Sequence, residues 1–255
     1  MSNGAIERVL DAARASEALS GGSPPAVLAM LSGGADSVCL LHVAVELLGA
    51  ERVQALHVNH GLRPAADADE RFCAELCRAL GVELHVERVE IPEVGNVEAL
   101  ARKARYEAAE RVRSAAGLLL IATGHTASDQ VETVLYRLVS SGGARGIKPR
   151  REDGVVRPLL PVWREETEAY CREHGLVFRV DSSNRDSTRG LIREEILPLL
   201  RRLHPGAERN LLALAGEDPR LPRGLERTLV ELLASTAGTK QADLGQGVRA
   251  VREYG

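Results

Sequence analysis

Residues 26–37 read Ala26-Val27-Leu28-Ala29-Met30-Leu31-Ser32-Gly33-Gly34-Ala35-Asp36-Ser37. The apolar run Ala26 to Met30 suits a short strand buried on both faces of a parallel sheet. After it, Val38, Leu40, Leu41, Val45 and Leu48 recur at helical spacing until Gly49 supplies a stop. The unit is strand, glycine turn, helix. At such a junction two glycines let the backbone approach an anion, and the N–H groups and dipole of the helix start favour negative charge. Ser32 and Ser37 add hydroxyl donors. Asp36 would repel a bound phosphate unless a divalent cation lay between them, so it reads as a magnesium ligand. The competing reading is a plain polar turn in which Asp36 caps a helix. Neither a Gly-Lys-Ser/Thr ending nor a G-x-G-x-x-G turn is present.

Working outward, Val53 to His60 alternates into a second strand, and Gly61-Leu62-Arg63-Pro64 breaks it. A helix over about 68–80 ends at Gly81, residues 84–89 form a third strand, and Asn96 can cap a helix over about 97–116. Leu118 to Ala122 is a fourth buried strand. This alternation predicts an α/β doubly wound parallel sheet whose ligands bind beyond the strand C-termini. Residues 142–157, rich in glycine and arginine, predict a mobile loop overlapping a fifth strand within 155–162. Helices are expected over 164–174 and 189–203, around a short strand over 176–180 and the turn Asp181-Ser182-Ser183-Asn184. A short helix to Ala215, another over 225–233 and a strand over 248–254 close the chain. The expected organisation is an α/β domain over 1–140, the rest of a catalytic core over 141–215, and an incomplete segment over 216–255.

At 255 residues the chain fits one α/β domain with a small appendage. Aromatics make up only 3%, which argues against a stacking-rich binder of single strands. No apolar run reaches membrane-spanning length, and residues 1–19 read as an amphipathic helix rather than a signal peptide. Cys39, Cys73, Cys77 and Cys171 form neither a C-x-x-C pair nor a zinc constellation, as expected of reduced core thiols in a cytoplasmic protein. The overall charge of −3 conceals an asymmetry. Residues 1–100 carry 7 basic and 15 acidic side chains, residues 101–205 carry 19 and 14, and residues 206–255 carry 7 of each. The basic middle fits a phosphate-rich partner, and equally a solvated Arg/Glu surface.

The loop Ser32-Gly33-Gly34-Ala35-Asp36-Ser37 resembles the S-G-G-x-D-S loop of the ATP pyrophosphatases. His57-Val58-Asn59-His60-Gly61-Leu62-Arg63 is similar to the H-V-N-H-x-L-R string of the tRNA(Ile)-lysidine synthetase family. Residues 95–106, with Glu98, Arg102, Arg105 and Tyr106, resemble that family's G-N-x-E-x-x-A-R-x-x-R-Y helix. Gly124 to Thr133 resembles its G-H-x-x-x-D-Q-x-E-T element, Arg157-Pro158-Leu159-Leu160 its R-P-L-L, Asp181 to Asn184 its D-x-S-N, and Arg189 to Glu195 its R-N-x-I-R-H-E helix.

The resemblance implies an adenine nucleotide α hydrolase-like fold with a small helical C-terminal extension and the start of a further domain. It also implies ATP, Mg2+, L-lysine and an isoleucine tRNA, with no membrane and with an oligomer left open. Ser32, Gly33, Gly34, Ala35, Asp36, Ser37, His57, His60 and Gly124 would bind ATP, with Asp36 on the metal. Asp36, Arg105, Asp129, Glu132 and Arg193 would carry the chemistry. The bland alternatives are local. Glu98, Arg102 and Arg105 share a helical face and could be a surface ion pair, Thr126-x-x-Asp129 fits a capping box, and strand-end histidines are often structural. Gly190, Glu194, Thr126 and Ser140-Ser141 depart from the family pattern, and only some forty residues follow Ala215, where bacterial members carry larger tRNA-binding domains. The rival readings are a tRNA-thiolating relative, for which the cysteine set is unsuited, and a nucleotide-binding protein without chemistry.

Overall fold

The computed structural model describes residues 3–16, 18–20, 26–61, 66–90, 92, 97–179, 187–216, 223–234, 238–243 and 249–252. Arg63, Gly95-Asn96 and Asp181 to Asn184, with the side chain of Glu98, lie outside this set. A parallel sheet of β1 (Val27–Met30), β2 (Val53–Asn59), β3 (Glu83–Arg88), β4 (Leu120–Ala122) and β5 (Val155–Val156) runs in the order β3-β2-β1-β4-β5. Val27 pairs with Val53 on one side and Leu120 on the other. The order reverses between β1 and β4, and the crevice beyond such a reversal is where open α/β sheets bind ligands.

Strand alternation divides the interior into two cores. Val27 and Ala29 face one side with α1 (Asn3–Ala15), α2 (Ala35–Leu48), α3 (Ala66–Leu80) and α6 (Arg164–Glu173), where Val9, Val38, Leu41, Cys73 and Tyr170 are buried. Leu28 and Met30 face the other, against Ala109 and Val112 of α4 (Val97–Ala115). A third cluster joins Val131 of α5 (Ala127–Ser141) to Ile192, Leu197 and the flanking Leu211 and Leu212. It seats α7 (Thr188–Leu191), α8 (Leu197–Leu203) and α9 (Ala207–Leu214) on α5.

Several expectations are corrected. The expected helix over 189–203 is interrupted by a π-helical stretch, Ile192–Ile196, in which Leu197 N–H reaches Ile192 O. Pro198 lacks an N–H and crowds the preceding turn, and a widened turn accommodates it. The fifth strand keeps only Val155–Val156, because Pro158 follows and turns replace the ladder. Residues 176–179 form no strand, since Arg179 N–H bonds instead to Gly33 O at 2.9 Å. The 142–157 segment is irregular as expected but anchored. Arg137 bonds Arg145 O and Gly146 O, and Gln130 Nε2 donates to Ile147 O at 3.1 Å. Beyond α10 (Arg223–Ala234), β6 (Lys240–Asp243) pairs antiparallel with β7 (Arg249–Arg252), so the expected final strand has a partner not anticipated.

Candidate active site

Residues 31–34 join β1 to α2 at the reversal of strand order. Gly33 has φ +89°, in the left-handed region, and a Cβ there would lie 3.3 Å from Phe72 Cδ1. Ser37 closes the turn on itself. Its hydroxyl donates to Gly34 O at 2.9 Å, and so accepts from Ser32 N–H at 3.2 Å and from the Ser32 hydroxyl at 3.1 Å. The N–H groups of Ser37 and Val38 turn back to Gly34 O at 3.0 Å, which leaves those of Ala35 and Asp36 at the helix start without an intrahelical acceptor. Gly124, just past β4, completes the wall. A Cβ on it would come within 2.9 Å of Asp36 O and 3.1 Å of Ser37 N, so only glycine lets the two loops meet.

Three carboxylates converge beside this loop. Asp36 is in the first turn of α2, and Asp129 and Glu132 are on one face of α5. Asp129 Oδ2 accepts from Thr126 N–H at 2.8 Å and from its hydroxyl at 3.0 Å, so the helix-capping role expected as the alternative exists. Its other oxygen, Oδ1, meets Arg164 at 3.3 Å, and one carboxylate therefore serves both the cap and the site. Glu132 is 1% exposed. Its Oε1 accepts from Arg193 Nε at 2.8 Å and from Arg164 at 3.3 Å, while Oε2 is buried without a hydrogen-bond partner.

Arg164, at the first position of α6, also reaches Asp36 Oδ2 at 3.4 Å. One guanidinium thus touches all three carboxylates. Burial opposes its charge, yet Asp129, Asp36 and Glu132 together raise its pKa above the ordinary arginine value. Thr167, one turn on, donates to Asp36 Oδ1. Even so, burial lifts the Asp36 carboxyl from 3.8 to about 6, against the lowering by Arg164 and Thr167 and with a further push from Asp129. Arg164 and Thr167 were not singled out from the sequence. A cation at a helix start opposes the macrodipole, and that misplaced charge was the available signal.

The structure brings Ser32, Gly33, Gly34, Ala35, Asp36, Ser37, Gly124, Asp129, Glu132 and Arg193 into one region. His57, His60 and Arg105 form a neighbouring group. His57 Nδ1 faces Leu31 O at 2.9 Å and, since a carbonyl only accepts, donates to it, tying the start of the loop to β2. His60 is half-buried with Nδ1 unbonded, and its pKa is lowered by burial and then by the charges of Arg105 and His57. His125 follows β4, with Nδ1 2.9 Å from the Thr123 hydroxyl. Burial depresses it to about 4, with Arg157, Arg102 and Arg189 adding to the effect and Asp129 opposing it.

The four cysteines are buried and free. Burial pushes Cys73 and Cys77 up to about 12, and Cys39 well above the usual thiol range. None of these three is a ready thiolate.

The chain is 42% identical over 180 residues to a tRNA(Ile)-lysidine synthase of Pseudomonas fluorescens, covering 66% of this chain and 40% of that protein. It is 39% identical over 214 residues to the Pseudomonas aeruginosa synthase of the same name, covering 80% and 47%. The chain therefore spans less than half the length of these relatives. Among solved structures, the U34-tRNA thiolase NcsA from Methanococcus maripaludis, with its [4Fe-4S] cluster, superposes with a TM-score of 0.67 at 18% identity, over 90% of this chain and 80% of that one, and so shares its fold. Residues 8–200 match the family model of the PP-loop domain, and the chain belongs to that family.

Proposed function

We propose that this chain performs the tRNA(Ile)-lysidine synthase reaction, joining L-lysine to C2 of the wobble cytidine of an isoleucine tRNA with a CAU anticodon at the expense of ATP. The observation that carries the reading is the convergence of Asp36, Asp129 and Glu132 beside the phosphate loop. Against these three carboxylates stand two arginines, Arg164 and Arg193. A buried Asp36 lifted to about 6, and a Glu132 oxygen without a donor, are what a site built for additional positive charge would show.

ATP would place its phosphates against the N–H groups of α2 and the hydroxyls of Ser32 and Ser37, with Gly124 permitting the close approach and His57 and His60 flanking the loop. The residues fit magnesium. Asp36 would hold it, and the ion would supply charge neutralisation for departing pyrophosphate. Adenylation of the C2 oxygen of the cytidine would release pyrophosphate, and the lysine side-chain amine would then displace AMP. Asp129 and Glu132 would hold the lysine side chain as its ammonium until its proton passes to a site carboxylate and frees the amine to attack, while Arg105 and Arg193 would stabilise phosphate and activated base.

In this reading residues 1–140 are the ATP-binding unit, 141–215 complete the catalytic core, and 216–255 begin a further tRNA-binding region. Among the described residues no helix is long and apolar enough to cross a membrane, which accords with a cytoplasmic site of action. The test is incubation with isoleucine tRNA, ATP and labelled lysine. ATP-dependent retention of label in the tRNA is expected. Pyrophosphate release without lysine incorporation would refute the assignment of substrate.

A further inference from the structure

Helices α2 and α6 lie side by side, and their contact continues past the acidic cluster. His42 and Glu46 follow Asp36 on α2, six and ten residues on, and Tyr170 and His174 follow Thr167 along α6. At 1.5 Å per residue His42 lies about 9 Å along the axis from Asp36, so this second group is separate from the first. One ligand atom from each of His42, Glu46 and His174 lies within 4.8 Å of the others. The two imidazole centroids are 5.0 Å apart.

The hydrogen bonds around these rings preset their tautomers. The Tyr170 hydroxyl donates to Glu46 Oε2 at 2.9 Å, because a carboxylate only accepts. The Tyr170 hydroxyl oxygen must then accept from His42 Nδ1, which is 2.9 Å away. His174 Nδ1 faces the Tyr170 carbonyl at 2.9 Å and is likewise a donor. In its neutral form each ring then carries its lone pair on Nε2, and each is oriented through the opposite nitrogen. That is the arrangement by which proteins hold metal-binding histidines. Tyr170 is fully buried and stacked on His174 at 4.1 Å, so the support is rigid, while Glu46 is exposed and tied to it through one carboxylate oxygen.

We propose that His42, Glu46 and His174 form a binding site for a zinc-class divalent transition metal, with water completing the coordination. Two imidazoles and one carboxylate suit zinc, whereas magnesium prefers an all-oxygen shell. Ligand atoms around a tetrahedral zinc are roughly 3.4 Å apart given bonds near 2.1 Å, a contraction that side-chain rotation supplies. An ion there clamps α6 to α2, and so steadies Arg164 and Thr167 against Asp36 at the other end of the same helix pair. The inference does not depend on which reaction the chain performs.

The test is calorimetric titration of the chelator-treated, desalted chain with zinc chloride, beside a thermal melt with and without zinc. One saturable site is expected, with zinc raising the melting temperature. His42→Ala and His174→Ala should each weaken binding at least about tenfold, and Tyr170→Phe, which keeps the packing and removes only the hydroxyl, about 10- to 100-fold. Glu46→Gln, at an exposed position that cannot endanger folding, should also weaken it, while His85→Ala on β3 should not. Binding that survives His174→Ala and Glu46→Gln unchanged would overturn the proposal. So would competition by magnesium at equal concentration, which would place the zinc on the carboxylates near the phosphate loop.

Discussion

Replacing Glu132 by Gln removes one charge from the buried end of the acidic cluster and little else. The side chain is 1% exposed, and Oε1 accepts from Arg193 at 2.8 Å and Arg164 at 3.3 Å. Gln keeps that acceptor and sets its amide nitrogen where Oε2 has no partner. The guanidiniums stay charged, so bonds to a Gln oxygen remain charge-assisted, and each arginine contact loses only the ion-pair attraction, about 1 kcal/mol. Relief of a desolvated carboxylate returns part of this, leaving a net destabilisation of about 1–2 kcal/mol. The melting temperature should then fall by about 2–8 °C. Lysine use should suffer more. An ammonium deprived of one of two carboxylates loses about 1.5–3 kcal/mol, or roughly 10- to 150-fold in kcat/KM for lysine. The KM for ATP should change little. Saturation curves for lysine and for ATP, with thermal melts on the same preparations, check the set. A lower melting temperature with unchanged lysine kinetics would refute the lysine-binding role and leave Glu132 as an anchor for Arg193. Equal deterioration of both substrates, partly restored by excess magnesium, would make it a metal ligand.

Three further outcomes are expected. Asp36 ionises at about 6 in the folded chain against 3.8 unperturbed, so its ionisation costs the fold stability. The loss develops as pH rises from about 4 to about 6 and reaches at most about 3 kcal/mol above that. In EDTA, Asp36→Asn should therefore be more stable than the parent by about 1–3 kcal/mol at pH 8 and equal to it near pH 4, while pyrophosphate release is lost; urea melts at the two pH values, with an assay for pyrophosphate, decide it. Gly124→Ala sets a methyl within 2.9 Å of Asp36 O and should cost about 1–3 kcal/mol, with a larger proportional loss in ATP affinity, read by denaturation and nucleotide titration. Joint replacement of Cys73 and Cys77 by Ala should leave turnover intact, since burial holds both thiols protonated up to about pH 12, and loss of activity in a well-folded double variant would revive a sulfur-transfer reading.

The parts of the molecule written in local sequence were legible. Strand β1, the glycine turn and α2 follow from a burial pattern and two glycines, and the parallel doubly wound sheet follows from strand–helix alternation, though its strand order does not. Asp129 and Glu132 were legible as a pair because three residues of helix put them on one face. Arg164 was not, because what makes it the hub is the packing of α6 on α2, which brings together residues 128 positions apart. In the sequence it is one more arginine before two glutamates. Residues 176–179 misled for the same reason in reverse. Their alternation suits a strand, but Arg179 N–H went to Gly33 O in the loop after the central strand β1 instead of to a strand. The hairpin strand β6, Lys240–Asp243, has one partly buried position and so carries no hydrophobic signature.

Arg164 also makes the resting site self-occupied. Its guanidinium already touches all three carboxylates that an incoming cation would need, although Glu132 Oε2 keeps no partner, so arrival of a metal ion or an ammonium would be in part an exchange of counterions. The apparent affinity is then set by a difference, the new cation's attraction less that of the arginine it displaces. Selectivity follows from this arrangement. A weakly attracted monovalent ion cannot evict a guanidinium held at three points, whereas a divalent ion or an ammonium bound elsewhere along its length can. Because Arg164 begins α6, its displacement is transmitted to Thr167 on the next turn, and α6 becomes the element through which filling of the site is felt by the rest of the fold.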